Sequence, residues 1–112
     1  MKANSEERMQ VSPSIDFRKD EQGMYIRIRG HFDFNLHSDF KELLKKAKDS
    51  STAKCTIDLG TTEDLDSSAL GMLLLLRDAV GGEKSNVAII NSKPEIKAIL
   101  NMANFEKMFH IS

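Results

Sequence analysis

Cys55-Thr56-Ile57-Asp58-Leu59, the polar stretch Gly60-Thr61-Thr62-Glu63-Asp64-Leu65, and Asp66-Ser67-Ser68-Ala69-Leu70-Gly71 running into Met72-Leu73-Leu74-Leu75-Leu76 form the segment from which the rest of the chain can be placed. The first run alternates and predicts a strand over 54–59. The polar stretch reads as a loop over 60–66. Beyond it, Ala69, Met72, Leu73, Leu76 and Val80 recur at helical spacing, and Leu70 and Leu74 widen the stripe. Such a helix, apolar nearly all round over 68–80, is made to pack deeply against a sheet. Asp66 is a good N-cap for it, which puts Ser67 in its first turn. Gly81-Gly82 stops it.

Working outward, Val87-Ala88-Ile89-Ile90 is a short apolar run suited to a central strand. Ser92-Lys93-Pro94-Glu95 has the form of a capping box with proline in the first turn, opening a helix through Ile96, Ile99 and Leu100. Residues 108–111 suggest a final short strand. Upstream, Ile15 and Phe17, then Met24, Ile26 and Ile28, alternate with polar residues around a turn at 19–23, which predicts a hairpin ended by Gly30. A loop over 31–35 follows. Leu36, Phe40, Leu43, Leu44 and Ala47 then share one face of a helix, with Asn35 as the expected N-cap. The order is strand–strand–helix–strand–helix–strand–helix–strand. Right-handed crossovers between such units give a mainly parallel sheet, made mixed by the N-terminal hairpin. The fold expected is therefore a single α/β domain over 14–112, preceded by a flexible N-terminal segment over 1–13 that is polar and aperiodic.

Composition narrows the function. With 112 residues the chain has the length of one domain, and 40% hydrophobic residues provide a core. The apolar run 72–76 is far shorter than the roughly 20 residues needed to span a bilayer. Met1-Lys2-Ala3-Asn4-Ser5-Glu6-Glu7-Arg8 has no signal-peptide core, so a cytoplasmic protein without membrane insertion is expected. Basic and acidic residues balance at 16 and 17, which argues against direct nucleic-acid binding. Lys41, Lys45, Lys46 and Lys48 cluster, but Asp39, Glu42 and Asp49 lie among them, as on a solvated helix face. The single cysteine, Cys55, rules out an intrachain disulfide and reads as a small buried apolar residue.

Candidate sites reduce to the serine corner. Ser67 lacks the Gly-x-Ser-x-Gly elbow, and nothing in the sequence sets His31, His37 or His110 beside it as a base, so hydrolysis is disfavoured. His31, Asp33 and His37 have no metal-ligand spacing, and no metal or cofactor is expected. Gly81-Gly82 follows a helix instead of opening one, which does not suit a phosphate loop. Glu63, Asp64 and Asp66 before a helix are explained by capping and the helix dipole. Both serines can be capping residues. The same place also suits a phosphoacceptor: a phosphate there adds about −1.5 to −2 charges, tolerated by the helix N-terminus but repelled by the neighbouring acids.

This strand, acidic loop and Asp66-Ser67-Ser68-Ala69-Leu70-Gly71 resemble the signature of STAS domains, the anti-sigma factor antagonists and related domains of sulphate transporters. Gly30-His31-Phe32-Asp33 resembles the family's glycine-x-x-aspartate, and Phe105, Met108, Phe109 and Ile111 its C-terminal apolar pattern. The resemblance covers about residues 14 to 111. It implies a STAS-like fold and a non-enzymatic bacterial binding module. Its partner would be an anti-sigma factor that is also a serine kinase. That kinase would phosphorylate Ser67 and so release the complex, and a PP2C-type phosphatase would reverse the step. Asp33 would serve kinase recognition, with Asp66 and Ser68 flanking the acceptor. Thr62 and Ala69 would complete a partner surface built from residues 31–36, 61–66 and the first turns of the next helix. Ala69 departs from the family's usual glycine. A STAS subunit of another switch, of the biofilm type, or of a lipid transporter complex is the alternative. A small hydrolase using Ser67 is the rival from a different class.

Overall fold

The computed structural model describes residues 13–49 and 54–112. The expected flexible segment over 1–13 lies, apart from Pro13, outside the described residues. Strand β1 (Ser14–Asp20) and strand β2 (Gly23–Phe32) form the predicted antiparallel hairpin, in register from Ser14 opposite Arg29 to Asp20 opposite Gly23. The Asp20 carboxylate closes the turn by accepting the Gln22 N–H at 2.8 Å. Helix α1 (His37–Asp49), strand β3 (Cys55–Asp58), strand β4 (Thr62–Leu65), helix α2 (Ser67–Ala79), strand β5 (Val87–Ile90), helix α3 (Pro94–Met102) and strand β6 (His110–Ile111) follow.

The sheet runs β1-β2-β3-β5-β6, with β4 attached to β2, and every pairing after the hairpin is parallel. It is the mixed, mainly parallel sheet of a single α/β domain. Alternation along β2 buries Met24, Ile26 and Ile28 and leaves Tyr25 and Arg27 half-buried on the other face. The buried side joins Cys55, Ile57, Val87 and Ile89 with Phe40 and Leu43 of α1, Met72, Leu73 and Leu76 of α2, and Ile96 and Leu100 of α3 in one core. Within it, burial pushes the Cys55 thiol up to about 12, so it behaves as a small apolar residue.

Several boundaries differ from expectation. Gly30 does not end β2. With φ at +77° it lies where the register against β4 shifts by one residue, Glu63 being the extra one, and the strand continues through Phe32 to pair with β4. The expected loop over 60–66 therefore contains a strand. Asn35 is not the cap before the first helix. Asp33 caps a 3-10 turn (Phe34–Leu36), accepting the Asn35 N–H at 2.9 Å, and α1 begins at His37. The capping box at Ser92 does not form. Lys93 occupies the N-cap, so Ser92 and Glu95 fall out of capping register. The Ser92 N–H donates to the Ser112 carbonyl, and its hydroxyl is buried without a partner. The last strand is only two residues long, because Phe105 and Phe109 stack at 5.0 Å and sink into the core just before it. The Val87–Ile90 strand is flanked on both sides, though by this short edge strand on one of them.

Candidate functional site

The C-terminal ends of β2 and β4 meet the start of α2 at one corner. Phe32 pairs with Leu65, and the Asp66 N–H donates to the Phe32 carbonyl at 3.4 Å. The residues that follow, Asp33 and Asp66, are thereby brought to the same edge from positions 33 apart in sequence.

Asp66 has extended backbone and caps α2. Its Oδ1 accepts the Ala69 N–H at 3.1 Å and the Ser68 hydroxyl at 2.6 Å. The Ser68 hydroxyl first, and the Ala69 N–H second, hold the Asp66 carboxyl below its ordinary range, so it is a carboxylate at neutral pH. These bonds separate the two serines. The Ser68 hydroxyl is spent on Asp66 and the residue is half-buried, whereas Ser67 is exposed and no described residue hydrogen-bonds its hydroxyl. Ser67 opens a helix of 13 residues, where unsatisfied N–H groups and the positive end of the dipole favour an anion.

Beside this corner, His31 of β2 stands between two acids of β4, with Nδ1 2.8 Å from Asp64 Oδ1 and Nε2 3.5 Å from Glu63 Oε1. The hydrogen bond with Asp64, helped by Glu63 and Asp33, raises its pKa above the ordinary 6.5. In sequence, His31 and these acids fall in two separate expected loops, over 31–35 and 60–66. Only the pairing of β4 with the end of β2 brings them together, and no local pattern announces it.

Two expected partner contacts are corrected. Thr62 is fully buried, its hydroxyl donating to the Ile28 carbonyl at 2.7 Å, because it occupies the inward position where β4 joins β2. Ala69 is also fully buried, on the same stripe as Met72, Leu73 and Leu76. Its methyl group faces the core and leaves the surface around Ser67 unchanged. Asp33, half-buried, Asp66, Ser67 and Ser68 remain at the surface. The histidines are placed elsewhere: His31 between its acids, His37 stacked on Phe34 at 4.7 Å, and His110 on β6. Among the described residues no three His, Cys, Asp or Glu side chains are grouped to hold a metal ion, and no helix is long and apolar enough to cross a membrane.

A family model described as Mlab, STAS domain, matches residues 15–110. The chain belongs to the STAS domain family. This STAS domain is 44% identical, over 93 residues, to a STAS-domain containing protein of Pseudomonas aeruginosa, covering 83% of the present chain and 91% of the relative. Among solved structures it resembles an anti-sigma factor antagonist from Mycobacterium paratuberculosis with a TM-score of 0.78 at 16% identity, over 92% and 89% of the two chains. It also resembles the Bacillus cell fate determinant SpoIIAA in its phosphorylated form, with a TM-score of 0.66 at 12% identity, over 88% and 91%. At these identities the structural likenesses establish the STAS fold.

Proposed function

We propose that this STAS domain is a cytoplasmic anti-sigma factor antagonist, a binding module without catalysis of its own, that works by partner switching. In the unmodified state it holds an anti-sigma factor that is also a serine kinase, and so frees a sigma factor for transcription. Phosphorylation of Ser67 releases the complex, and a PP2C-type phosphatase resets it. The observation that carries this reading is the division of labour between the serines: Ser68 is tied to Asp66, and Ser67 alone offers an exposed, unengaged hydroxyl at the start of α2.

The proposed effect is electrostatic. A phosphate brings about −1.5 to −2 charges next to Glu63, Asp64 and Asp66. The N-terminus of α2 accommodates it, so the fold persists, while a partner docked across the corner meets a bulky dianion. The resemblance to a structure of SpoIIAA in its phosphorylated form supports this proposal, as do the anti-sigma factor antagonists among the structural neighbours. The test is incubation with the co-purifying serine kinase and ATP, followed by mass spectrometry. Phosphate on Ser67 is expected; modification confined to Ser68 or another residue would overturn the assignment.

One observation favours a second reading. The matching family model is described as Mlab, and the 44% identical relative is named without a sigma regulator. A STAS subunit of another signalling switch or of a lipid transporter complex accommodates both. Co-purification with a transporter ATPase in place of a kinase would select it.

A further inference from the structure

Strand β1 is an edge of the sheet: it pairs with β2, and among the described residues no strand covers its other side. The direction of its free backbone groups follows from β2. Met24 donates its N–H to the Lys54 carbonyl at 3.0 Å and Gly30 to the Thr61 carbonyl at 2.9 Å, so the even positions of β2 face β3 and β4. Residues opposite one another in an antiparallel ladder alternate between exchanging both bonds and exchanging neither. Lys19, Phe17 and Ile15, which lie opposite Met24, Ile26 and Ile28, therefore turn their N–H and C=O groups outward. Side chains alternate between the two faces of the sheet. Asp16 and Arg18 stand on the open face, opposite Arg27 and Tyr25, and Ile15, Phe17 and Lys19 on the α1 side. There Ile15 and Phe17 line a groove of about 300 Å³ with Asp39, Glu42, Leu43 and Lys46 of α1.

We propose that this edge joins a second copy of the chain, β1 against β1 about a two-fold axis through Phe17, to give one continuous sheet. Outward groups meet only in registers that set odd positions against odd ones, and charge selects among those. Centred on Phe17, Phe17 exchanges both backbone bonds with Phe17 of the second copy, and Ile15 does so with Lys19. Asp16 then faces Arg18 of the second copy, and Arg18 faces its Asp16, on the open face. Centring on Asp16 or on Arg18 opposes like charges, and centring on Lys19 opposes two lysines. Centring on Ile15 sets Phe17 against Pro13, which has no N–H. A charged edge ordinarily resists pairing. Here Asp16-Phe17-Arg18 is complementary to itself, and that self-complementarity names a second copy as the occupant. Asp16 accepts Arg29 Nε on Oδ2 at 3.1 Å and is exposed, so a second guanidinium can reach it. Lys19 of the second copy, opposite Ile15, comes to the α1 side, where Asp39 and Glu42 line the groove. The two Phe17 rings meet beside it as an aromatic cross-strand pair. Strands β3 and β4 lie on the other side of β2, so the pairing leaves the serine corner open in both copies. The proposal is independent of the reading of Ser67.

The test is sedimentation equilibrium of the purified full chain from about 1 μM to about 1 mM, the range suited to a small, partly polar interface. A monomer–dimer equilibrium is expected. Arg18→Asp and Asp16→Arg should each weaken it by about tenfold or more, since each turns both cross-strand charge pairs from attractive to repulsive. An equimolar mixture of the two variants should associate within about threefold of the parent, because acids on one strand then meet arginines on the other. That rescue also requires both variants to be folded. Lys19→Pro should abolish association while its melting temperature stays near the parent's, since the N–H it removes points outward. A purified chain that stays monomeric, as it would if the edge were kept for a strand of another protein, overturns the proposal. So does a dimer indifferent to the charge variants or to Lys19→Pro, or a mixture no tighter than its components.

Discussion

At the scale of single residues, the corner is decided by which oxygen is already engaged. Asp66 takes the Ser68 hydroxyl and the Ala69 N–H on one carboxylate oxygen, leaving Ser67 outside this small network. Ser67→Ala should therefore abolish phosphate incorporation while partner affinity stays within about threefold, because a neutral methyl adds neither charge nor bulk. Ser67→Asp should weaken the partner complex by about tenfold, a smaller effect than phosphate because it brings one charge in place of nearly two. Titration calorimetry against the purified partner reads both, and equal affinities for the two variants would refute the electrostatic mechanism. Asp66 and Ser67 were legible as cap and first-turn residue because capping is local chemistry, written within four consecutive positions. Thr62 was not legible as a buried residue. Its burial depends on β4 pairing with β2, a contact between segments more than thirty positions apart.

At the scale of elements, periodicity served where an element buries one face and failed where a bulge intervenes. The hairpin and α2 follow regular patterns and lie near where they were expected. Strand β4 buries Thr62 and Leu65 and exposes Glu63 and Asp64, a sequence without period 2. Its register shifts opposite Gly30 and His31, where Glu63 is the extra residue, so alternation is interrupted on β4 while β2 keeps it through Phe32. The capping box at Ser92 failed for a different reason, a helix that starts one residue later than the motif requires. Glycine at the start of β2 is an element-scale constraint that composition does not reveal. Gly23 has φ at +137°, and a Cβ there would collide with the Lys54 carbonyl, which accepts the Met24 N–H at 3.0 Å where β2 meets β3. Gly23→Ala should cost about 1–3 kcal/mol of stability through backbone strain and displacement of that crossing. Urea denaturation measures it, and a variant as stable as the parent would show that the β2–β3 junction yields freely.

At the scale of the whole molecule, one sheet face is closed by the three helices and the other is held by a polar network. On that open side the Tyr25 hydroxyl donates to Asp58, as do Asn91 at 3.1 Å and the Gly60 N–H at 2.8 Å, with Arg27 Nη2 3.7 Å away, so side chains of β2 and β3 and the end of β5 are tied together. Burial pushes the Asp58 carboxyl up, but these donors outweigh it and hold the group below its ordinary 3.8. Asp66 is lowered too, and His31 is raised above 6.5. The signs then fix the shape of stability against pH. Asp58 and Asp66 contribute above 3.8, and their contribution is lost as pH falls through their lower folded values. His31 contributes fully below 6.5, and its contribution is lost as pH rises through its raised folded value. Melting temperature should therefore form a plateau between the ordinary values of 3.8 and 6.5, falling on both sides. The acid limb should be the steeper, because Asp58 is buried whereas His31 and its partners are exposed and screened by salt. His31→Gln should remove the alkaline limb and leave the acid limb in place, and Asp58→Asn should lower the plateau and flatten the acid limb. Calorimetric scans across this range on the three proteins decide the matter, and an alkaline limb that survives His31→Gln would show that a group other than the His31–Asp64 pair governs it.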